Sequence, residues 1–346
     1  MRYQTFGHRT GLRMSEYILG TANFGSGPAG ADPEPWRPVF DAFAEAGGTT
    51  LDTSNRYQDG RSESILGELL SGRRDDFVVI TKYGGKPAGA PGPTGNSRKA
   101  MVRAVEDSLR RLRTDHVDVL MAHFPDELTP VAEILTAHDD LIAAGKVLYG
   151  GLSNFPAWRV AGAVVRADLR GLAVPVGIEI EYSLLERSAE RELLPMAEAH
   201  GLGVALYSPL AGGRLTGKYR RGETGRLTGY PDAGAENPSQ TGVLDAVLAV
   251  AAETGSTPVD VSLAWLRARA ARSATTLLPV VGPRTPEQLA SYLTSLRLDL
   301  TGEQYDRLDT AGVITLGVPH DTVAAALASG IDGDHTRIRV NPVPVV

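Results

Sequence analysis

One unit is written along this chain again and again: a short apolar run rich in β-branched residues, a polar loop, then apolar residues at helical spacing. The runs end at Gly20, Asp52, Thr81, His123, Ser153, Glu181, Tyr207 and Val281. All but the last pair are spaced by roughly thirty residues, the length of one strand–helix–strand unit. Between them the apolar positions recur with a period near 3.6: Val39/Phe40/Phe43, Ile65/Leu66/Leu69/Leu70, Val102/Val105/Leu109/Leu112 and Ile134/Leu135/Leu141/Ile142, then Val160/Val164 and Leu193/Leu194/Met196. Eight such strands alternating with helices predict an α/β fold with a parallel sheet closed into a (β/α)8 barrel. A barrel of this kind accommodates 346 residues as one domain. No break divides 1–346 into two.

Three stretches fall outside the repeat. Residues 2–14 read as a β-hairpin, Tyr3–Thr5 against Leu12–Met14 with a turn from Gly7 to Gly11, expected to plug one end of the barrel. Residues 210–240, after the seventh strand, are rich in Gly, Pro and Arg and lack an apolar period. Loops longer than about 15 residues are mostly lids or linkers, and a lid is expected here. Helices follow over 244–252 and 259–269, and over 285–308 with a turn near Asp299. The tail, 331–346, is rich in Asp, Arg and Pro and is expected to be partly flexible.

Composition narrows the function. A hydrophobic content of 42% with 22% charged residues is that of an ordinary globular chain. A net charge of −6 argues against a nucleic-acid partner. No run reaches the roughly 18 apolar residues of a membrane span, and Met1–Phe6 lacks a signal-peptide core. With no Cys there is no disulfide, thiolate nucleophile or Cys-ligated metal. The expectation is a cytoplasmic protein acting on a small molecule, of unread oligomeric state.

Chemistry-bearing residues gather at the strand ends, which in a barrel surround one mouth: Asp52 and Tyr57, Lys82, His123, Ser153 and Asn154, Glu179 and Tyr182, and Tyr207. One polar strand end is as often a cap as a catalyst. Polar groups at nearly every end are harder to ascribe to packing. After the first of them, Gly60-Arg61-Ser62-Glu63 reads as a helix start with a Ser cap and an acid in the first turn.

The segments LDTSNRY (51–57), GRSESILGELL (60–70), TKYG (81–84), VDVLMAHFPD (117–126), GKVLYGGLSN (145–154), IEIEYSLLERSAERELLPMA (178–197), YSPLAGGRLTGKY (207–219) and VVGPRTPEQL (280–289) resemble, in order, those of the aldo-keto reductases. The likeness runs from about Arg2 to His335. It implies an NADPH-dependent barrel enzyme acting on an aldehyde or ketone, with a catalytic tetrad at Asp52, Tyr57, Lys82 and His123. For the cofactor it implies Gly20, Thr21, Asp52, Ser153, Asn154, Glu179 and Tyr207 about the nicotinamide. Ser208, Leu210, Gly212, Leu215, Gly217 and Lys218 would follow the pyrophosphate, with Arg284, Gln288 and Tyr292 at the adenosine 2′-phosphate end. An Arg fork on a phosphate favours NADP over NAD. The substrate pocket would be walled by Phe24, Tyr57, Tyr83, His123 and Phe124.

The tetrad has a physical logic. Free Tyr titrates near 10, and an ammonium about 4 Å away attracts its phenolate by roughly 4 kcal/mol at an effective dielectric near 20. On that basis Lys82 is expected to lower the Tyr57 acid, with Asp52 holding Lys82 charged and His123 orienting the carbonyl and sharing the proton relay. Glu179 stands where the family usually has Gln, and Tyr292 where Asn is usual. An ionised Glu179 would favour the cationic, oxidised nicotinamide. The bland alternative is a neutral or outward-turned Glu179 that only packs.

Other features carry less. Gly25-Ser26-Gly27-Pro28-Ala29-Gly30 spells the dinucleotide fingerprint, but prolines at 28, 33 and 35 defer the helix to about Trp36, so a loop beside the substrate pocket is expected instead. His8, His116, His138, His200, His320 and His335 lack zinc-like spacing and default to the surface. Phe124 and Trp158 are open between core and pocket. Arg214, Arg220, Arg221 and Arg226 in the lid suit an anionic substrate or a solvated face. A sugar-like or nucleotide-linked keto substrate remains an alternative, as does, from another class, a cofactor-sensing subunit without significant turnover.

Overall fold

A computed structural model describes residues 1–26, 32–84, 94–228 and 235–330. The tail expectation and most of the Gly25–Gly30 stretch therefore lie outside the described residues. The chain opens with the hairpin, β1 (Tyr3–Thr5) antiparallel to β2 (Arg13–Ser15). Eight parallel strands then close a barrel in chain order: β3 (Ile18–Gly20), β4 (Thr50–Asp52), β5 (Val78–Tyr83), β6 (Val117–Ala122), β7 (Val147–Ser153), β8 (Gly177–Glu181), β9 (Gly203–Tyr207) and β10 (Leu277–Val281). Closure is made by Val280 and Val281 of β10 in register with Ile18 and Leu19 of β3.

Helices α1 (Arg37–Glu45), α2 (Arg61–Leu69), α3 (Arg98–Leu112), α4 (Val131–Ala143), α5 (Ala157–Arg170) and α6 (Leu193–His200) follow strands β3 to β8 in turn. Then α7 (Pro238–Thr254) and α8 (Pro258–Ala270) both precede β10, and α9 (Pro286–Thr294), α10 (Gly302–Ala311) and α11 (His320–Ala328) follow it. Both α7 and α8 begin with capping boxes, Asn237 with Gln240 and Thr257 with Asp260, which satisfy the first orphan amides at each end. Among the described residues no helix is long and apolar enough to cross a membrane.

The core has two layers. Inside the barrel lie Ile18, Ile80, Val119, Met121, Val176, Ala205 and Leu278, joined from below by Phe6 and Met14 of the hairpin. A Cβ on Gly177 or Gly203 would fall 2.2 or 2.4 Å from the Phe6 ring, so these two strands reach the plug only because they begin with glycine. The outer layer joins strands to helices through Val39, Phe40, Phe43, Ile65, Leu66, Val105, Ile134, Leu135 and Val160.

Four local expectations are corrected. Val102 is exposed and Met101 is fully buried in its place, because α3 turns the Met101/Val105/Leu112 stripe inward. Ser62 does not cap α2. Its Oγ donates to the Thr21 carbonyl at 2.8 Å, and Gly60, at φ 89°, makes the turn into the helix. His138 is buried rather than superficial, one turn after Ile134 on the inner face of α4 and edge-on to Tyr83. Burial pushes its acid down to about 4, so it packs as a neutral ring. Trp158 is neither core nor pocket; it is 75% exposed on α5.

Candidate active site

At the carboxyl ends of the strands opens a cavity of about 880 Å³. Behind the Asp52, Tyr57 and Glu179 that line it lies Lys82 of β5, its side chain fully buried. Strand alternation that aims Lys82 inward turns Tyr83 outward. The Lys82 Nζ contacts the Asp52 carboxylate at the end of β4, donates to the Thr53 carbonyl at 3.1 Å and lies 3.4 Å from the Tyr57 hydroxyl. Tyr57 reaches this point on a sharp turn in which Gln58 and Asp59 hold positive φ (51° and 56°). Strained backbone of this kind is kept where the surroundings enforce it, commonly at functional sites.

His123 follows β6 by one residue. Its ring meets Tyr57 edge-on with centroids 5.7 Å apart, and its Nδ1 is 3.0 Å from the Ser54 hydroxyl. Burial, then the charges of Lys82 and Arg56, hold its acid down to about 3, so His123 is neutral near physiological pH. Ser54 was not singled out from the sequence, although it lies in the same segment as Asp52 and Tyr57; only the contact with His123 reveals its task. Arg56 also emerges here, its guanidinium 5.6 Å from the Phe124 ring, which in turn stacks on His123 at 4.6 Å.

The expected lowering of Tyr57 is corrected for the free protein. Burial of the phenol outweighs Lys82, and Asp52 and Glu179 oppose that lysine, so the Tyr57 acid is raised above its ordinary value. Lys82 itself is raised by Asp52 and Glu179 despite its burial. The four tetrad residues thus meet as a protonated phenol, a charged ammonium held by the Asp52 carboxyl, and a neutral imidazole.

From this cluster the cavity extends past Gly20, Asn154, Glu179, Tyr207, Ser208, Leu210, Gly212 and Lys218 to Arg284, Gln288 and Tyr292. The Asn154 amide donates to the His123 carbonyl and the Ser153 hydroxyl, both at 3.0 Å, and its oxygen accepts from Tyr207 at 2.8 Å. Asn154 and Ser208 on this wall, and Ala211 just beyond, all have positive φ (60°, 54° and 49°). Gln288 accepts from the Arg284 amide at 2.8 Å, fixing the turn into α9, while Tyr292 is half-buried on the wall.

Some expected residues stand behind the wall. Thr21 is buried, donating to the Asp52 carbonyl at 2.9 Å, and Ser153 is buried beneath Asn154. Leu215 joins the core and Gly217, at φ 71°, ends the short turn that precedes it. Phe24 is fully buried, stacked on Trp36 at 4.9 Å, and Tyr83 packs outward against His138, so neither walls the substrate pocket; Phe124 does. Tyr182, read as a rim group, is buried on Trp265 with its hydroxyl on Glu190. In the long loop Arg220 is paired with Glu236 and with Asp245 of α7, and Arg221 with Glu223, so these two of its four arginines are matched by acids.

The aldo/keto reductase family model matches residues 16–312. The chain belongs to the aldo/keto reductase family. It is 32% identical over 340 residues to the aldo-keto reductase ausK of Aspergillus calidoustus, covering 93% of this chain and 85% of that one. To the aryl-alcohol dehydrogenase [NADP(+)] of Phanerodontia chrysosporium it is 33% identical over 342 residues, covering 92% and 88%. To the uncharacterized oxidoreductase YrpG of Bacillus subtilis it is 35% identical over 315 residues, covering 88% and 93%. Membership in this family makes the barrel an oxidoreductase of carbonyl and alcohol groups.

The groups present fit a nicotinamide dinucleotide. An amide held by three partners and a half-buried phenol ring flank the buried carboxyl of Glu179, whose Oε2 has no aligned hydrogen-bond donor among the described residues. Farther along, Lys218 and Arg284 are cationic residues on the cavity wall.

Proposed function

We propose that this aldo/keto reductase family member reduces an aldehyde or ketone with NADPH, and oxidises the alcohol in reverse, with Tyr57 as the general acid. One observation carries the reading: the Tyr57 hydroxyl stands 3.4 Å from an ammonium that Asp52 holds, at the mouth of the cavity. When bound, the reduced nicotinamide supplies the hydride. Tyr57 donates its proton to the carbonyl oxygen as charge develops there, and Lys82 stabilises the phenolate left behind. Asp52 fixes Lys82, and neutral His123, steadied by Ser54, orients the carbonyl. Asn154 and Glu179 would hold the nicotinamide carboxamide, Tyr207 its ring, and Arg284 the 2′-phosphate.

The substrate wall suits an aryl carbonyl. His123 and Phe124 are stacked within 8° of parallel with the Arg56 guanidinium over the Phe124 ring, an aromatic and cationic stack against which an aryl ring can pack. The Phanerodontia relative, named as an aryl-alcohol dehydrogenase [NADP(+)], agrees with both choices. The test follows NADPH consumption with a panel of aromatic and aliphatic aldehydes and ketones. Turnover favouring the aromatic members is expected. Tight cofactor binding without turnover on any of them would point instead to a sensor. Because Tyr57 is held protonated, alcohol oxidation should gain rate as pH rises, whereas reduction should not.

A further inference from the structure

Glu179 sits on β8, paired in register with Ser153 of β7 and Ala205 of β9, and only 2% of it is exposed. Its Oε2 lies 3.2 Å from the Lys82 ammonium that also holds Asp52. Two buried carboxyls thus share one buried cation, and Oε2 lacks an aligned donor among the described residues. The ionisable groups facing Glu179 are Asp52 from β4, Lys82 from β5, Tyr57 from the turn after β4 and Tyr207 from β9. Of these only Lys82 is positively charged. Two like charges crowded into one site do not both ionise, and an unpaired buried charge is strongly disfavoured.

We propose that Glu179 stores the proton that carbonyl reduction consumes. This rests on the reading of the cavity as a nicotinamide site. In the resting protein Asp52 and Glu179 hold one proton between them around charged Lys82. After Tyr57 gives its proton to the substrate oxygen, Lys82 Nζ passes a proton to the phenolate over the 3.4 Å contact. Glu179 then passes its own to Nζ over the 3.2 Å contact. Tyr57 and Lys82 return to their starting forms, and the net loss is the Glu179 proton. Its carboxylate would then balance the positive charge that a bound oxidised nicotinamide carries.

The direction of titration supports this order. Burial raises the Asp52 acid against the pull of Lys82, and burial, then Asp52, pushes the Glu179 acid up to about 8, so the buried pair retains a proton near neutral pH in the free protein. A cationic ring beside it favours the ionised form and a neutral ring does not. Binding of NADP⁺ should therefore expel the proton below about pH 8, and NADP⁺ affinity should rise with pH up to that value and then level. NADPH affinity should lack this component. The effect is about tenfold in relative affinity for each pH unit by which the bound cation lowers the acid.

Titration calorimetry of the full chain at neutral pH, with NADP⁺ and with NADPH in two buffers of different protonation enthalpy, counts the protons exchanged. The 2′-phosphate is common to both forms, so their difference isolates the ring. We expect more protons released with NADP⁺, a difference abolished in Glu179→Gln and kept in Glu181→Gln, whose carboxyl is exposed on the same strand. Equal proton counts for both dinucleotides in the wild type would overturn the inference without any variant. A difference that survives Glu179→Gln would overturn it as well. Failure of both dinucleotides to bind would overturn the reading of the cavity, and the proton store with it.

Discussion

The two ends of the barrel are built from the same eight strands and share almost no chemistry. The amino-terminal end is sealed by Phe6 and Met14, both fully buried, against strand starts stripped to glycine at 177 and 203. The carboxyl-terminal end holds Asp52, Lys82, Glu179 and His123, all buried, around a cavity of about 880 Å³. The named side chains are buried at both ends, but burial does opposite work. At the floor it rewards apolar contact. At the mouth it strengthens every charge interaction and moves the titration of each group. Stability and chemistry are thereby separated along the barrel axis, and mutations at the two ends should separate them in the same way.

The sharpest way to break that separation is Tyr57→Phe. Carbonyl reduction should fall by about 10²–10⁴-fold, the usual worth of a positioned acid, with kcat taking the loss. Thermal unfolding should barely move, because the hydroxyl has one protein partner, Lys82. A parallel drop in melting temperature would show that the mouth also carries stability. Phe6→Ala is the mirror experiment. Emptying the plug should lower the unfolding free energy by about 3–5 kcal/mol in urea melts, while kcat of the folded fraction stays near wild type. A lost kcat would show that the floor positions the catalytic end.

Arg284→Ala tests whether the mouth is itself divided. Loss of a charge-assisted phosphate contact should weaken NADPH by about 1.5–3 kcal/mol in fluorescence titration and leave NADH nearly untouched. Equal weakening of both would remove Arg284 from phosphate recognition. The smallest effect is expected at Ser54→Ala. One neutral hydrogen bond to His123 Nδ1 is removed, so kcat should drop by about 0.5–1.5 kcal/mol of activation free energy, without change in NADPH affinity. A null result would leave the imidazole plane fixed by Phe124 stacking alone.

Local rules made much of this molecule legible in advance. The strand ends at Gly20, Asp52, Ser153, Glu181, Tyr207 and Val281 fall where the sequence reading put them. A β-branched run that stops on a polar residue is a local signal, and each strand carries its own. The same holds for the helix stripes, where only Val102 was assigned to the wrong face. Motif resemblance proposed the tetrad, and the structure brings its four residues together. Tyr83 was misjudged because neighbours on a strand face opposite ways, and Phe24 because its loop borders the cavity through Ala22 and Asn23 while its own ring turns into the core on Trp36.

By itself, then, the sequence determined the eightfold alternation, the plugged end, and which residue types crowd the other end, because these depend on periods of 2 and 3.6 and on turn chemistry within a few residues. Tertiary structure alone decided which of those groups touch. Lys82 on β5 meets Glu179 on β8 only because closure of the barrel turns inward-facing residues of separated strands toward one axis. That meeting, and the burial that comes with it, reverses the expected titration of Tyr57 and raises the acids of Asp52 and Glu179. A pKa depends on distance and dielectric, and neither is a property of sequence spacing.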